Sequence, residues 1–179
     1  GSVTRDVMKQ PLLFMMPVDA NGISKTTKVY GESPVTVRWY INDEEVLPAA
    51  GVSSYTFVVK EGSPENIGKV IFETATTVPA VQLDLNAPEF RKHKRLFYQV
   101  TAHTANGKVA SEELALEKIR SREAYEIREA MNELQPDETA ISKLVLARFF
   151  EDKGLVANSL HMYEQALQLS DVPRYREYY

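Results

Sequence analysis

The feature of this 179-residue chain that most restricts its fold is a change of hydrophobic period near residue 118. Before that point apolar side chains recur at every second position, and turn residues interrupt them about every 8–12 positions, the signature of an all-β sandwich. After it glycine nearly vanishes and the period lengthens to about 3.6, that of a helix burying one face. Strands followed by helices are expected to segregate into separate layers. The reading is therefore a β-sandwich over residues 10–118 and a helical segment over 119–179. Residues 1–9 form a tail in which Gly1-Ser2 reads as the scar of a removed expression tag.

Within the first region Val35, Val37, Trp39 and Ile41 share one strand face, and Thr36, Arg38 and Tyr40 the other. Tyr55, Phe57 and Val59 alternate in the same way, as do Val70, Phe72 and Thr74, then Val81, Leu83 and Leu85, then Leu96, Tyr98, Val100 and Ala102. Asn106-Gly107 predicts a type I′ hairpin turn, followed by a last strand over Val109–Leu116. Glu44–Ser54 and Glu61–Gly68 read as loops. No helix is expected here, because Gly and Pro recur and helical spacing is missing.

Pro34-Val35-Thr36-Val37-Arg38-Trp39 resembles the second strand of a fibronectin type III domain, which ends on a core tryptophan. Tyr98-x-Val100-x-Ala102, with Asn106-Gly107 after it, is similar to that fold's sixth strand and its hairpin to the seventh, and Val81–Leu85 to the strand before. The resemblance implies a seven-stranded immunoglobulin-like sandwich and makes Tyr98 its corner tyrosine, whose hydroxyl pins the crossover. By that strand order Val58, Ile71 and Phe97 point away from the core. A solvated face would carry polar residues there, so the helical segment is expected to dock on these three.

In the last third, Ala124, Ile127, Ala130, Met131 and Leu134 form one helical stripe, with Ser121 expected as N-cap and Glu123 in the first turn. Gln135-Pro136-Asp137 separates it from a helix bearing Ile141, Leu144, Val145, Ala147, Phe149 and Phe150, which stops at Lys153-Gly154. Val156, Leu160, Tyr163, Ala166, Leu167 and Leu169 follow, and Pro173 reads as opening another helix, which makes the chain a fragment of a longer protein. Leu146, Ala147, Phe150, Gly154, Ser159, Tyr163 and Ala166 resemble the signature of a tetratricopeptide repeat. The resemblance implies three to four antiparallel helices, the helix before the pair resembling half of a preceding repeat. It places Leu144, Arg148, Glu151 and Asp152 on the concave, partner-binding face. One repeat cannot bury its own apolar side, so either the sandwich or further repeats must cover it.

Composition narrows the function. A formal charge of −4, from 21 Lys+Arg against 25 Asp+Glu, argues against nucleic-acid binding. No stretch approaches the ~18 apolar residues of a membrane span. Without cysteine there is no disulfide framework, zinc ribbon or thiol nucleophile. His93, His103 and His161 share no metal-ligand spacing, and Asp43-Glu44-Glu45 is too local to hold calcium. No serine nucleophile motif or phosphate-cradling loop is present. Neither catalysis, cofactor nor metal is expected. Arg91-Lys92-His93-Lys94-Arg95 is the one basic run, able to meet an acidic partner or lipid headgroups. The two resemblances together imply a scaffold or protein–protein interaction module of a bacterial cell-envelope protein, outside the cytoplasm, with a protein or peptide partner. The alternatives are a glycan-binding sandwich, with Tyr30, Tyr40 and Phe97 as its candidate aromatics, and an accessory domain of an enzyme. No oligomeric state follows from the sequence.

Overall fold

The structure, a computed structural model, describes residues 12–14, 25–41, 51–63 and 65–170. The expectations for Gly1-Ser2, for Asp43-Glu44-Glu45 and for the helix opening at Pro173 lie outside the described residues. In chain order the elements are β1 (Leu12–Phe14), β2 (Thr26–Val29), β3 (Val35–Ile41), β4 (Val52–Ser63), β5 (Asn66–Thr76), β6 (Ala80–Leu83), α1 (Pro88–Arg91), β7 (Arg95–Thr104), β8 (Gly107–Ala110), β9 (Leu114–Lys118), α2 (Ser121–Leu134), α3 (Ala140–Asp152) and α4 (Val156–Leu169).

The strands form two sheets. One has the order β1-β3-β6 and the other β2-β9-β7-β4-β5, with β8 also paired to β7. All pairs are antiparallel except β2 with β9. The period-two pattern dictates what lies between the sheets. Val35, Val37 and Trp39 of β3 and Val81 and Leu83 of β6 meet Phe57 and Val59 of β4 and Leu96, Tyr98 and Val100 of β7 in one apolar cluster. Trp39 meets Tyr55 edge-on at 5.4 Å and stacks on Phe57 at 6.0 Å, and Phe57 stacks on Tyr98 at 5.8 Å. These aromatics tie both sheets together and add directional contacts to the burial itself. Burial also pushes the Tyr98 hydroxyl pKa far up, with Glu112 adding to the effect.

Four local expectations are corrected. Glu61–Gly68 is no loop: β4 and β5 continue as a ladder through Gly62↔Ile67 and Ser63↔Asn66. This end of the hairpin reaches past the core into water, so it carries no apolar alternation. Pro88–Arg91 is a one-turn helix among the strands, started by proline and held by Phe90, which is buried edge-on to Phe72 at 5.4 Å. At the Asn106-Gly107 hairpin only Gly107 has positive φ, 133°, so the turn is not type I′. Instead Thr104 Oγ1 receives the Asn106 N–H at 3.2 Å and donates to the Gly107 carbonyl at 2.8 Å. Ser121 is the first helical residue, and Arg120 occupies the N-cap position without a side-chain bond.

The last strand is broken at Ser111, whose N–H donates to the Val100 carbonyl at 2.8 Å while its Oγ receives the Val100 N–H at 3.0 Å. Beyond it, β9 leads into the helices. Thr139 caps α3 by accepting the Ser142 N–H at 3.1 Å, and Asp137 accepts from the Thr139 N–H at 3.0 Å. The turn after α3 closes with Gly154 at φ 76°, its N–H bonded to the Glu151 carbonyl and that of Leu155 to Phe150, a Schellman arrangement. Ala147 and Ser159, both buried, lie where α3 and α4 touch, and Ser159 Oγ donates to the Ala147 carbonyl at 2.8 Å; Ala166 is buried farther along α4.

Candidate functional site

The helices acquire their position from a polar junction. Tyr30, just after β2, is nearly fully buried in the helical cluster with Ile127, Leu146, Phe150, Leu155 and Met162, its ring centroid 6.1 Å from that of Phe150. A backbone so placed must find hydrogen-bond partners away from water. Asn158, fully buried on α4, supplies them: its Oδ1 accepts the Tyr30 N–H at 2.8 Å, and its Nδ2 donates to the carbonyls of Tyr30 (3.0 Å), Ser33 (3.2 Å) and Pro34 (3.2 Å). One amide thus clamps the β2–β3 turn to the helix.

Along α4, Glu164 receives Arg38 Nη2 at 2.5 Å and Arg38 Nε at 3.2 Å. It also accepts from Thr36 Oγ1 and Gln82 Nε2, both at 3.4 Å. His161, buried on the same side, lies 3.4 Å from Thr36 Oγ1 through Nδ1. Burial pushes its imidazole below the usual range, with Glu164 opposing and Lys143 reinforcing the shift. At the far end Arg128 of α2 forms a forked pair with Glu32, at 2.9 and 2.6 Å. The pair holds the Glu32 carboxyl below its ordinary range.

This junction corrects the expected docking face. The helix sits on the outer side of β3 and against β2, beside Thr36 and Arg38, while Val58, Ile71 and Phe97 belong to β4, β5 and β7 of the other sheet. Ile71 packs on the main core, aided by the register shift between Val59 and Lys60. Phe97 is buried between its ladder neighbours Lys60 and Ala115, and Val58 is half-buried between Glu73 and Gln99. The polar pair Thr36 and Arg38 marks the helix-bearing face instead, where they meet Glu164 beside the apolar contacts of Ala157 and Leu160.

With one side of the pair committed to the sandwich, α3 faces outward. Ile141 is 72% exposed and Val145 47%, followed at helical spacing by exposed Arg148 and Asp152. The four residues assigned to a partner surface all lie on this element: Leu144 half-buried, and Arg148, Glu151 and Asp152 exposed. Arg148 Nε bonds Asp152 at 3.2 Å, and Tyr163 Oη reaches Glu151 at 3.3 Å. Of the aromatics a glycan platform would need, Tyr30 and Phe97 are buried and Tyr40 is half-exposed.

Among the described residues no group of His, Asp and Glu is placed to hold a metal, and no helix is long and apolar enough to cross a membrane. His103 bonds Thr56 Oγ1 at 2.7 Å, and His93 stands 3.6 Å from Glu61, so the three histidines are dispersed. Sequence reasoning missed Tyr30, Asn158, His161 and Glu164 as the junction. The available signal was a set of polar side chains on the α4 faces that ought to be apolar.

No protein-family model and no curated protein matches the chain. Among solved structures it is similar to an engineered protein with a TM-score of 0.41 and 16% identity, over 63% of this chain and 20% of that one. It is similar to the fourth FNIII domain of a human protein with a TM-score of 0.36 and 15% identity, over 50% and 68% of the two chains. A variant of the superoxide reductase (neelaredoxin) from Ignicoccus hospitalis scores 0.38 at 16% identity, over 64% and 85%. The chain thus spans a fifth of the engineered protein, and likenesses of this order assign no family.

Proposed function

We propose that this chain is a non-catalytic interaction module, in which a fibronectin type III-like sandwich carries a tetratricopeptide-like helix pair and presents α3 to a protein or peptide partner. Among the described residues, taking β8 and β9 as one interrupted strand and leaving out the edge segment β2 gives seven strands, a number that supports such a sandwich. The Gly154 turn and the small residues Ala147, Ser159 and Ala166 support the repeat-like reading of the helices. The observation that carries the function is the exposed Ile141-Val145-Arg148-Asp152 strip on a helix whose opposite side is already used. Apolar anchors flanked by charges suit recognition of a peptide segment. A scaffold role in a bacterial cell envelope is part of the same proposal and rests on the resemblance of the two modules together. The glycan-binding alternative finds less support, since two of its three aromatics are buried.

A photo-reactive residue at Val145 in the full-length protein, expressed in its own host, tests the reading. A discrete protein adduct is expected, lost when Ile141→Asp and Arg148→Glu are added, and not formed from Tyr40. Adducts unaffected by those changes, or no adduct at all, would overturn it.

A further inference from the structure

At the end of the sandwich where β9 gives way to α2, two adjoining clefts of about 260 and 380 Å³ share Arg91, Lys118, Ile119 and Ser121. Arg91, Lys92, His93 and Lys94 of the basic run line the larger cleft, and Arg91 the smaller one as well. Lys118 is already occupied: its ammonium donates to the carbonyls of Leu85 (3.4 Å), Phe90 (2.7 Å) and Arg91 (3.1 Å), capping α1. Glu32 is taken by Arg128, and Glu61, which lines a neighbouring cleft, is 3.6 Å from His93. Arg91, Lys92, Lys94 and Arg120 are exposed, and among the described residues none of them forms an ion pair. Four cations without an ion pair among the described residues therefore face the larger cleft, with Glu61 and Glu89 on the far side of Lys92, on a chain whose net charge is −4. The field there is local and opposite in sign to the chain as a whole.

We infer that this recess binds an acidic peptide segment of a partner protein, at a site separate from the α3 strip. Two cations of the four are arginines, whose planar forks match carboxylates. The shape is concave, which suits an extended chain. The apolar residues lining the two clefts, Ile119 and Ala124, are half-buried, whereas a bilayer-docking surface offers exposed apolar side chains to insert.

The test is anisotropy of a fluorescein-labelled ten-residue glutamate peptide, with a ten-residue glutamine peptide, inorganic phosphate and phosphatidylserine vesicles as comparison ligands. The glutamate peptide is expected to bind at least tenfold more tightly than the glutamine peptide and to weaken steeply as salt rises. Arg91→Ala, Lys92→Ala, Lys94→Ala and Arg120→Ala combined should weaken it at least tenfold. Removing four cations elsewhere (Lys25→Ala, Lys108→Ala, Arg122→Ala and Lys153→Ala) should change it less than threefold. The eight positions are exposed, and circular dichroism verifies that both variants are folded. Equal loss in the two variants, full displacement by millimolar phosphate, or tighter binding to vesicles would each overturn the assignment.

Discussion

The two apolar clusters of this molecule are built on different terms. The sandwich cluster is filled mainly by side chains from both of its sheets, with Trp39, Phe57 and Tyr98 stacked through its middle, and Ala157 and Leu160 of α4 join its edge. The helical cluster is smaller and takes Tyr30 from the strand region as one of its members. It is held on the sandwich by the polar clamps of Asn158 and Glu164 together with apolar contacts of Ala157, Leu160 and Tyr30. A large core beside a smaller one that adds polar clamps should respond differently to the same size of perturbation. The helices are expected to be the part released first.

The largest effect is expected from Trp39→Ala, which leaves a cavity in the shared centre of both sheets and costs about 3–5 kcal/mol. Because the helices rest on β3, strands and helices should then lose protection together in thermal unfolding followed by circular dichroism. Separate transitions for the two regions would break the picture of dependence. Asn158→Ala ranks next. It strands the Tyr30 N–H and up to three carbonyls inside the protein, at about 3 kcal/mol, or a fall in Tm of roughly 6–12 °C. Its damage should be confined to the helices.

Acid sharpens the comparison more gently. The His161 imidazole sits below its ordinary value of 6.5, chiefly through burial, so the unfolded chain binds the proton more readily. Its contribution is whole above about pH 6.5 and is lost as pH falls from there through the folded value. Thr36, Arg38, Glu164 and Lys143 are the groups around it, and only Glu164 opposes the shift. Denaturant midpoints between pH 7.5 and 5 should therefore fall, and less so in His161→Gln. An unchanged slope in that variant would remove His161 from the account. Smallest of all is Arg148→Glu, on the exposed face of α3, expected within about 0.5 kcal/mol of the parent. A larger loss would mean that α3 supports the fold rather than offering a surface.

What the sequence disclosed follows the same division. Trp39, Phe57, Tyr98 and Val100 were legible because a strand with one face against a core imposes period two on its own residues. The α3–α4 turn was legible because Gly154 must take a positive φ, and Ala147 and Ser159 must be small where the helices touch. The junction was harder to read, because its partners lie 82 to 128 positions apart and leave no local period. Thr36 and Arg38 are polar, as on a strand face turned to water, yet α4 lies across them, whereas Val58, Ile71 and Phe97 suggest a dock because apolar residues outside a core suggest a cover. The Glu61–Gly68 end of the β4–β5 hairpin was read as a loop for a related reason: a ladder that stands in water needs no alternation.

That the buried Asn158 amide is the chief clamp between the helical pair and the sandwich is tested most directly by native-state hydrogen exchange of Asn158→Ala against the parent. The account predicts that the α3 and α4 amides, with that of Tyr30, lose protection by a factor of about a hundred, about 3 kcal/mol, while β3, β4 and β7 keep theirs. Uniform loss through strands and helices, or full protection of α4 without the Asn158 side chain, would contradict it.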